Sequence, residues 1–418
     1  MALVAIVARS AHADNVFNVN TVADLIDDNT TDGSCHTNAG TCSLRAAIMQ
    51  SNHPAVGVTV INLPAGIYKI TRPADPVDDE TVGNFDFNLP GGPGEVIILG
   101  AGAEHTIVDG NTMDNVFHVN APRTVTIDGI TIRNGATLTT GGGISSEGIL
   151  TVSHCVIENN GASIFGGGIY VGGSSSSSLV LSQTTLRSNL AGNGGGIYSS
   201  SDVVMHNSAL YGNTASDSGG ALYANGSLTV TNTTISGNVA NTSGAGIYSR
   251  TAAFLYSASI VGNDADHDRD EILGGVGGGV YADAGSRFVA VNTLFALNTI
   301  LDAPIPDNCN GTLEVYGKNL FDDVSGCIFS GNGGIATGAV SPGTIGALQN
   351  NGGTTLTHAL LEGSEAIDAS TSQGCIDEGA TLLMTDQRGE ARVFGDRCDI
   401  GAYERGALAD VIFANGFD

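Results

Sequence analysis

Between residues 141 and about 300, apolar and polar positions alternate in a motif that returns at nearly constant length. The motif ends on an asparagine, at Asn160, Asn189, Asn213, Asn238, Asn263 and Asn298. Three residues before each stands a large apolar side chain: Ile157, Leu186, Leu210, Ile235, Ile260 and Phe295. Eight and ten residues before it, the positions are mostly apolar again, as in Leu150 and Val152, Leu179 and Leu181, Val203 and Met205, and Leu228 and Val230. An apolar residue at every second position marks a strand with one buried face. Six residues before the asparagine the position is polar: His154, Gln183, Asn207, Asn232, Ser257 and Asn292.

Each repeat opens on a glycine cluster followed by an aliphatic residue and, in five of six cases, tyrosine. The clusters begin at Gly141, Gly166, Gly194, Gly219, Gly244 and Gly277, with offsets of 25, 28, 25, 25 and 33 residues. Such a period suits a coil of three short strands joined by tight turns. Successive coils then pair strand on strand in parallel, about 4.8 Å apart. Aliphatic side chains would stack in files inside, and the asparagines would form a ladder from turn to turn. The expected fold is all-β, a single right-handed parallel β-helix. A leucine-rich horseshoe shares the period but requires a helical half and an L-x-x-L-x-L pattern, and a propeller blade is longer.

Upstream, 58–61, 68–71, 96–99, 116–119 and 125–132 read as further strands, and the ITIRNGA stretch at 130–136 is similar to the asparagine end of a repeat. Two acidic insertions, 73–93 and 264–275, read as loops.

Composition adds three constraints. Tryptophan is absent and glycine numbers 60, so the core must use small and β-branched residues between many turns. The formal net charge is −27, with lysine only at Lys69 and Lys318. Such a surface repels nucleic acids and anionic membranes, and repels acidic polysaccharides unless a cation bridges them. No stretch has the roughly 20 apolar residues of a membrane-spanning helix.

Six of the seven cysteines fall into locally spaced pairs: Cys35 with Cys42, Cys309 with Cys327, and Cys375 with Cys398. None has zinc-site spacing, so they read as disulfides of an oxidising compartment, although spacing does not fix their connectivity. Cys155 takes the place of Thr184, Ser208 and Thr233 in other repeats and reads as a buried small residue. Residues 1–8 are mostly apolar, and Ala11-His12-Ala13 has the form of a signal-peptidase site, which makes 1–13 a signal-peptide remnant.

The ends of a parallel coil need caps. Residues 41–50 read as a short helix with Ser43 as N-cap and Leu44, Ala47 and Ile48 on one face. Cys42-Ser43-Leu44-Arg45, with the Val19–Cys35 stretch before it, resembles the CSLREA module, although Ala46 replaces its glutamate. Residues 348–354, 357–361, 366–368, 386–389 and 398–404 resemble the choice-of-anchor Q domain, and the region of Asp307, Cys309 and Cys327 resembles the segment leading into it. The expected organisation is 14–55 as N-terminal cap, 56–340 as β-helix, 341–405 as a disulfide-bearing C-terminal cap and 406–418 as a tail. This resemblance implies an exported bacterial protein at the cell surface, the outer membrane or beyond. It supplies no catalytic residues.

The chemistry is sparse. Tyr170, Tyr198, Tyr223, Tyr248 and Tyr281 would form a column which, where exposed, binds sugar rings or a protein partner by stacking. Asp264, Asp266, Asp268 and Asp270, with Glu271, offer calcium ligands, although a solvated loop is the simpler expectation; no other cofactor is implied. The Asp78, Asp79 and Glu80 run reads the same way. His118, His154 and His206 read as satisfied polar residues, and Asp386, Arg388 and Asp399 as a structural ion-pair network. Arg133 and Arg187 follow strands, but no Asp cluster shares their repeat positions, as a calcium-dependent lyase would need. The reading is a surface or extracellular β-helix with an adhesin-like or structural role and no assignable catalysis. Its rival is a polysaccharide lyase or glycoside hydrolase using a lateral groove.

Overall fold

The computed structural model describes residues 15–53, 57–73, 80–88, 94–173, 177–266, 275–300, 305–337, 342–392, 395 and 397–406. The expected signal remnant, Asp78, Asp79, Asp268, Asp270, Glu271 and all but the first residue of the tail lie outside them. The chain is an all-β parallel β-helix with one α-helix among the described residues. It divides into two compact units. One carries the described residues up to Leu181 together with Leu186–Ala191 and Ile197–Asp202; the other carries the rest.

In the first unit, Asn15–Asn18, Val58–Leu63, Glu95–Gly100, Thr124–Asp128 and Ile149–Ser153 pair in succession, all parallel. A second wall runs through Gly66–Lys69, Thr106–Asp109, Thr131–Arg133 and Val156–Glu158. A third runs through Phe85–Phe87, Phe117–Val119, Ile144–Ser146, Ile169–Val171 and Ile197–Ser199. The expected strand over 125–132 is two strands, because Gly129 turns the backbone at φ +69° between walls.

Helix α1 (Leu44–Asn52) starts at Ser43, whose hydroxyl accepts from the Ala46 N–H at 3.0 Å. More than one face is covered: every residue of α1 is buried. Arg45 pairs with Asp24 at 2.6 Å and donates to the carbonyls of Glu80, Gly83 and Asn84, with the Phe85 ring 4.8 Å from its guanidinium. A buried cation survives when hydrogen bonds replace its water.

In the second unit the same three walls recur. Residues 203–206 lead to Leu228–Thr231, Ala253–Tyr256, Phe288–Val291, Cys309–Tyr316 and Cys327–Gly331. Inside, Leu210, Ile235, Ile260, Phe295 and Phe321 form one file, all fully buried. The asparagine ladder is present. The Asn213 amide donates to Asn238, Asn238 to Asn263 and Asn263 to Asn298, each at 2.8–3.0 Å, and Asn298 donates to Asn308. In the first unit Asn160 donates to Asn189. The first glycine of each cluster has φ between +62° and +72°, which explains why this position alone is glycine in all six. The third lies against the next coil: a Cβ on Gly143 would sit 2.6 Å from the Gly168 carbonyl oxygen.

The C-terminal region opens with an antiparallel hairpin, Ile345–Gln349 with Thr357–Leu360. Its contacts run along the flank of the second unit's coils. Thr354 bonds Gln183, Thr355 bonds the Asn207 carbonyl, Thr385 accepts from Asn232, and the Gly374 carbonyl accepts from Asn292. These partners are the polar residues six positions before the ladder. All have φ near +50°, a left-handed corner that asparagine tolerates better than most residues. The side chains of Gln183, Asn232 and Asn292 and the carbonyl of Asn207 face outward there, and the C-terminal region bonds them. Buried Arg392 fastens the contact by donating to Asn232, Gly401 and Glu404. Gln387 meets Thr234, and His358 meets Ser236.

The three cysteine pairs are disulfides, with Cα–Cα separations of 5.2, 5.2 and 6.1 Å. Cys155 is buried, and burial pushes its thiol up to about 12. It contacts the Ser153 carbonyl as Ser208 contacts that of His206 in its own coil.

Candidate functional site: a walled aromatic groove

A side chain that points inward on a β-helix strand is spent on the core, so its alternate neighbours must carry any surface chemistry. On the wall containing residues 203–206, the outward positions are small or polar in Leu228–Thr231, namely Thr229 and Thr231. In the next coil they become Phe254 and Tyr256, then Val289 and Val291, then Glu314 and Tyr316. These aromatic and aliphatic residues form a floor, packed with Ile376 of the C-terminal region.

The C-terminal region supplies the facing wall. Thr371, Gln373, Gly374, Ile376, Asp377 and Glu378 stand over the floor and enclose a groove of about 530 Å³. That is ample for a small ligand or a few sugar residues. The wall is braced from behind: Cys375 is bonded to Cys398, and Asn292 holds the Gly374 carbonyl at 3.1 Å. Its tip is a tight turn in which Asp377 accepts from the N–H groups of Gly379 and Thr381 at 2.9 and 2.8 Å.

Charge is arranged unevenly. Arg287 lines the groove with its guanidinium 5.4 Å from the Phe254 ring, and it is bound by Glu314 through Nε and Nη2 at 2.9–3.2 Å. That pairing raises the guanidinium further and holds the Glu314 carboxyl below its usual range. Asp377 and Glu378 form no ion pair among the described residues. Burial raises the Tyr256 phenol, with the Glu378 charge adding to it. Burial lowers His206, in register with Tyr256 through Thr231, against an opposing pull from Glu378 and Asp377.

The residues singled out from sequence lie elsewhere. Tyr170 and Tyr198 stack with Phe165 in the first unit, and Tyr223, Tyr248 and Tyr281 stack in the second with centroids 4.6–4.7 Å apart. Tyr198 is buried and the others are half-buried. Rings at that spacing cover one another's faces, so the column offers edges and hydroxyls to a ligand. Asp264 accepts from Thr299, Asp266 is buried, and no group of three or more potential metal ligands gathers among the described residues.

Two of the three histidines have side-chain partners, His154 with Asp128 at 2.7 Å and His118 with Asp86 at 3.2 Å, whereas no side-chain partner for the His206 ring is among the described residues. Arg133 and Arg187 pair with Asp109 and Glu158. Asp386, Arg388 and Asp399 do belong to a buried network, which also includes Arg392 and Glu404. Burial pushes Asp399 up to about 7, although its oxygens accept from the N–H groups of Arg405 and Asp368.

The groove was accessible to sequence reasoning only in part. Phe254 and Tyr256 replace small or polar residues at outward positions of their repeat, and that substitution is visible by alignment of the coils. The wall at 371–380 is separated from them by more than 100 residues and carries no repeat signal.

No family model matches the chain, and no curated protein matches it. Among solved structures, the crystal structure of pectate lyase Pel9A aligns over 94% of this chain and 97% of its own length, at 14% identity and a TM-score of 0.48.

Proposed function

We propose that this chain is an exported, surface-associated or extracellular β-helix protein that binds carbohydrate in the walled groove and does not cleave it. The single observation carrying this reading is the groove itself, an aromatic floor faced by carboxylates on a wall fixed by a disulfide. Aromatic surface with a few convergent polar groups is the usual make-up of a sugar site. Three disulfides support an oxidising compartment. The similarity of 42–45 and of the C-terminal segments to CSLREA and choice-of-anchor Q modules supports export to a bacterial surface.

The rival is cleavage in the same groove. Elimination needs a base that sheds its proton, but Glu314 holds Arg287 protonated. Hydrolysis needs a carboxylic acid kept protonated, but Arg287 holds Glu314 ionised. The carboxyls raised toward neutrality, Asp307 and Asp399, are buried outside the groove. A glycan array scored for both binding and product release, with and without calcium, tests the reading. Saturable binding without new reducing or unsaturated ends is expected. Turnover of any bound glycan would overturn it.

A further inference from the structure

Resting on the binding reading, we infer that the groove selects an amine-bearing sugar chain, an oligomer of glucosamine type, over neutral and uronic-acid chains. The inference follows from which charges are already spent. Arg287 lines the groove, yet both its Nε and Nη2 are committed to Glu314, so it presents little uncompensated positive charge to a ligand. Across from it, Asp377 and Glu378 have no cationic partner among the described residues, and both line the groove. One Asp377 oxygen is occupied by the turn; the other, and the whole Glu378 carboxylate, remain for a ligand. Counting Arg287, Glu314, Asp377 and Glu378 at their ordinary charges, the site carries a net −2.

The floor points the same way. Phe254, Tyr256 and Tyr316 present aromatic surface, which suits the apolar faces of a sugar and attracts a cation. An ammonium held between that floor and the Asp377–Glu378 wall meets complementary charge on both sides. A uronate meets two carboxylates there and a molecule of net charge −27 around it. The groove volume of about 530 Å³ and the braced wall mean that the site is formed before ligand arrives.

The test uses the full chain and three short oligomers of equal length: glucosamine, N-acetylglucosamine and galacturonate, the last with and without calcium. Calorimetry should give tightest binding for glucosamine and none for galacturonate. Glu378→Gln should weaken glucosamine binding about ten-fold and leave N-acetylglucosamine binding within two-fold. Phe254→Ala should weaken both. The Phe254 variant separates the groove from diffuse attraction of a cation to an acidic surface; glucosamine binding insensitive to it would overturn the inference. So would galacturonate binding as tight as glucosamine. If a neutral glycan binds and glucosamine gains nothing, the charge argument fails while the binding reading stands. If no sugar binds, both fail.

Discussion

His358 shows how one side chain ties the C-terminal region to the coils. Its Nδ1–H donates to the Gly346 carbonyl at 2.8 Å, which leaves Nε2 to accept from the Ser236 hydroxyl at 2.8 Å. Only the second bond requires the neutral ring; the bond to Gly346 pulls the pKa upward, but burial outweighs it and lowers the pKa from 6.5. The unfolded ring therefore takes up a proton at a pH where the folded ring does not. Stability from this group is full above about pH 6.5 and is lost as pH falls toward the depressed folded value. Asp399, raised to about 7, works in the opposite sense over an overlapping range, so total stability is not the right readout. The stability difference between wild type and His358→Gln isolates the ring, because glutamine can donate and accept at the same two ends without titrating. Urea midpoints at pH 7.5 and 5.5 should show wild type losing ground to the variant at the lower pH. A constant difference would mean that the ring protonates freely in place.

The asparagine ladder behaves as an element in its own right. Each rung joins three coils: Asn238 accepts from the Asn213 amide and N–H, and donates to the Leu210 carbonyl and to Asn263. All four contacts are buried, so no water can replace a missing partner. A buried donor or acceptor left without a partner costs about 1–3 kcal/mol. Asn238→Ala strands groups on both neighbouring coils and should cost about 3 kcal/mol by denaturant unfolding. A loss below about 1 kcal/mol would show that the coil stacking tolerates an open rung and that the aliphatic files alone fix the register.

At the scale of the whole molecule, a solenoid is stabilised by contacts between neighbouring repeats, so removing one repeat should cost little more than its own share. The second unit departs from that rule because its C-terminal region bonds the corners of four coils, at Gln183, Asn207, Asn232 and Asn292. Deleting residues 219–243, one register repeat, removes Asn232, Thr234 and Ser236 and strands Arg392, Gln387 and His358. Deleting residues 136–160, also one register repeat, removes no such partner. The first deletion should lower the unfolding midpoint far more than the second and open the C-terminal region to protease. Equal effects would show that the lateral docking carries no weight.

The sequence by itself determined the coil. Pitch, strand alternation, inward files and the asparagine rungs are all written locally, because each depends on residues a fixed distance apart and on the same residue type recurring in every turn; the cysteine spacing suggested three local pairs but left their connectivity to the structure. Even the polar residue six before each asparagine was visible, although not its reason, a left-handed corner. Only the tertiary structure decided what those corners are for. The C-terminal region has no repeat, and its docking depends on where a folded flank presents groups that it can bond. The groove follows from that docking, since its floor is an outward strand face and its wall comes from a later, non-repeating segment of the chain. Arg45 and Arg392 belong to the same class: sequence statistics place arginine in water, and only the carbonyl and carboxylate oxygens gathered around them by the fold make burial tolerable.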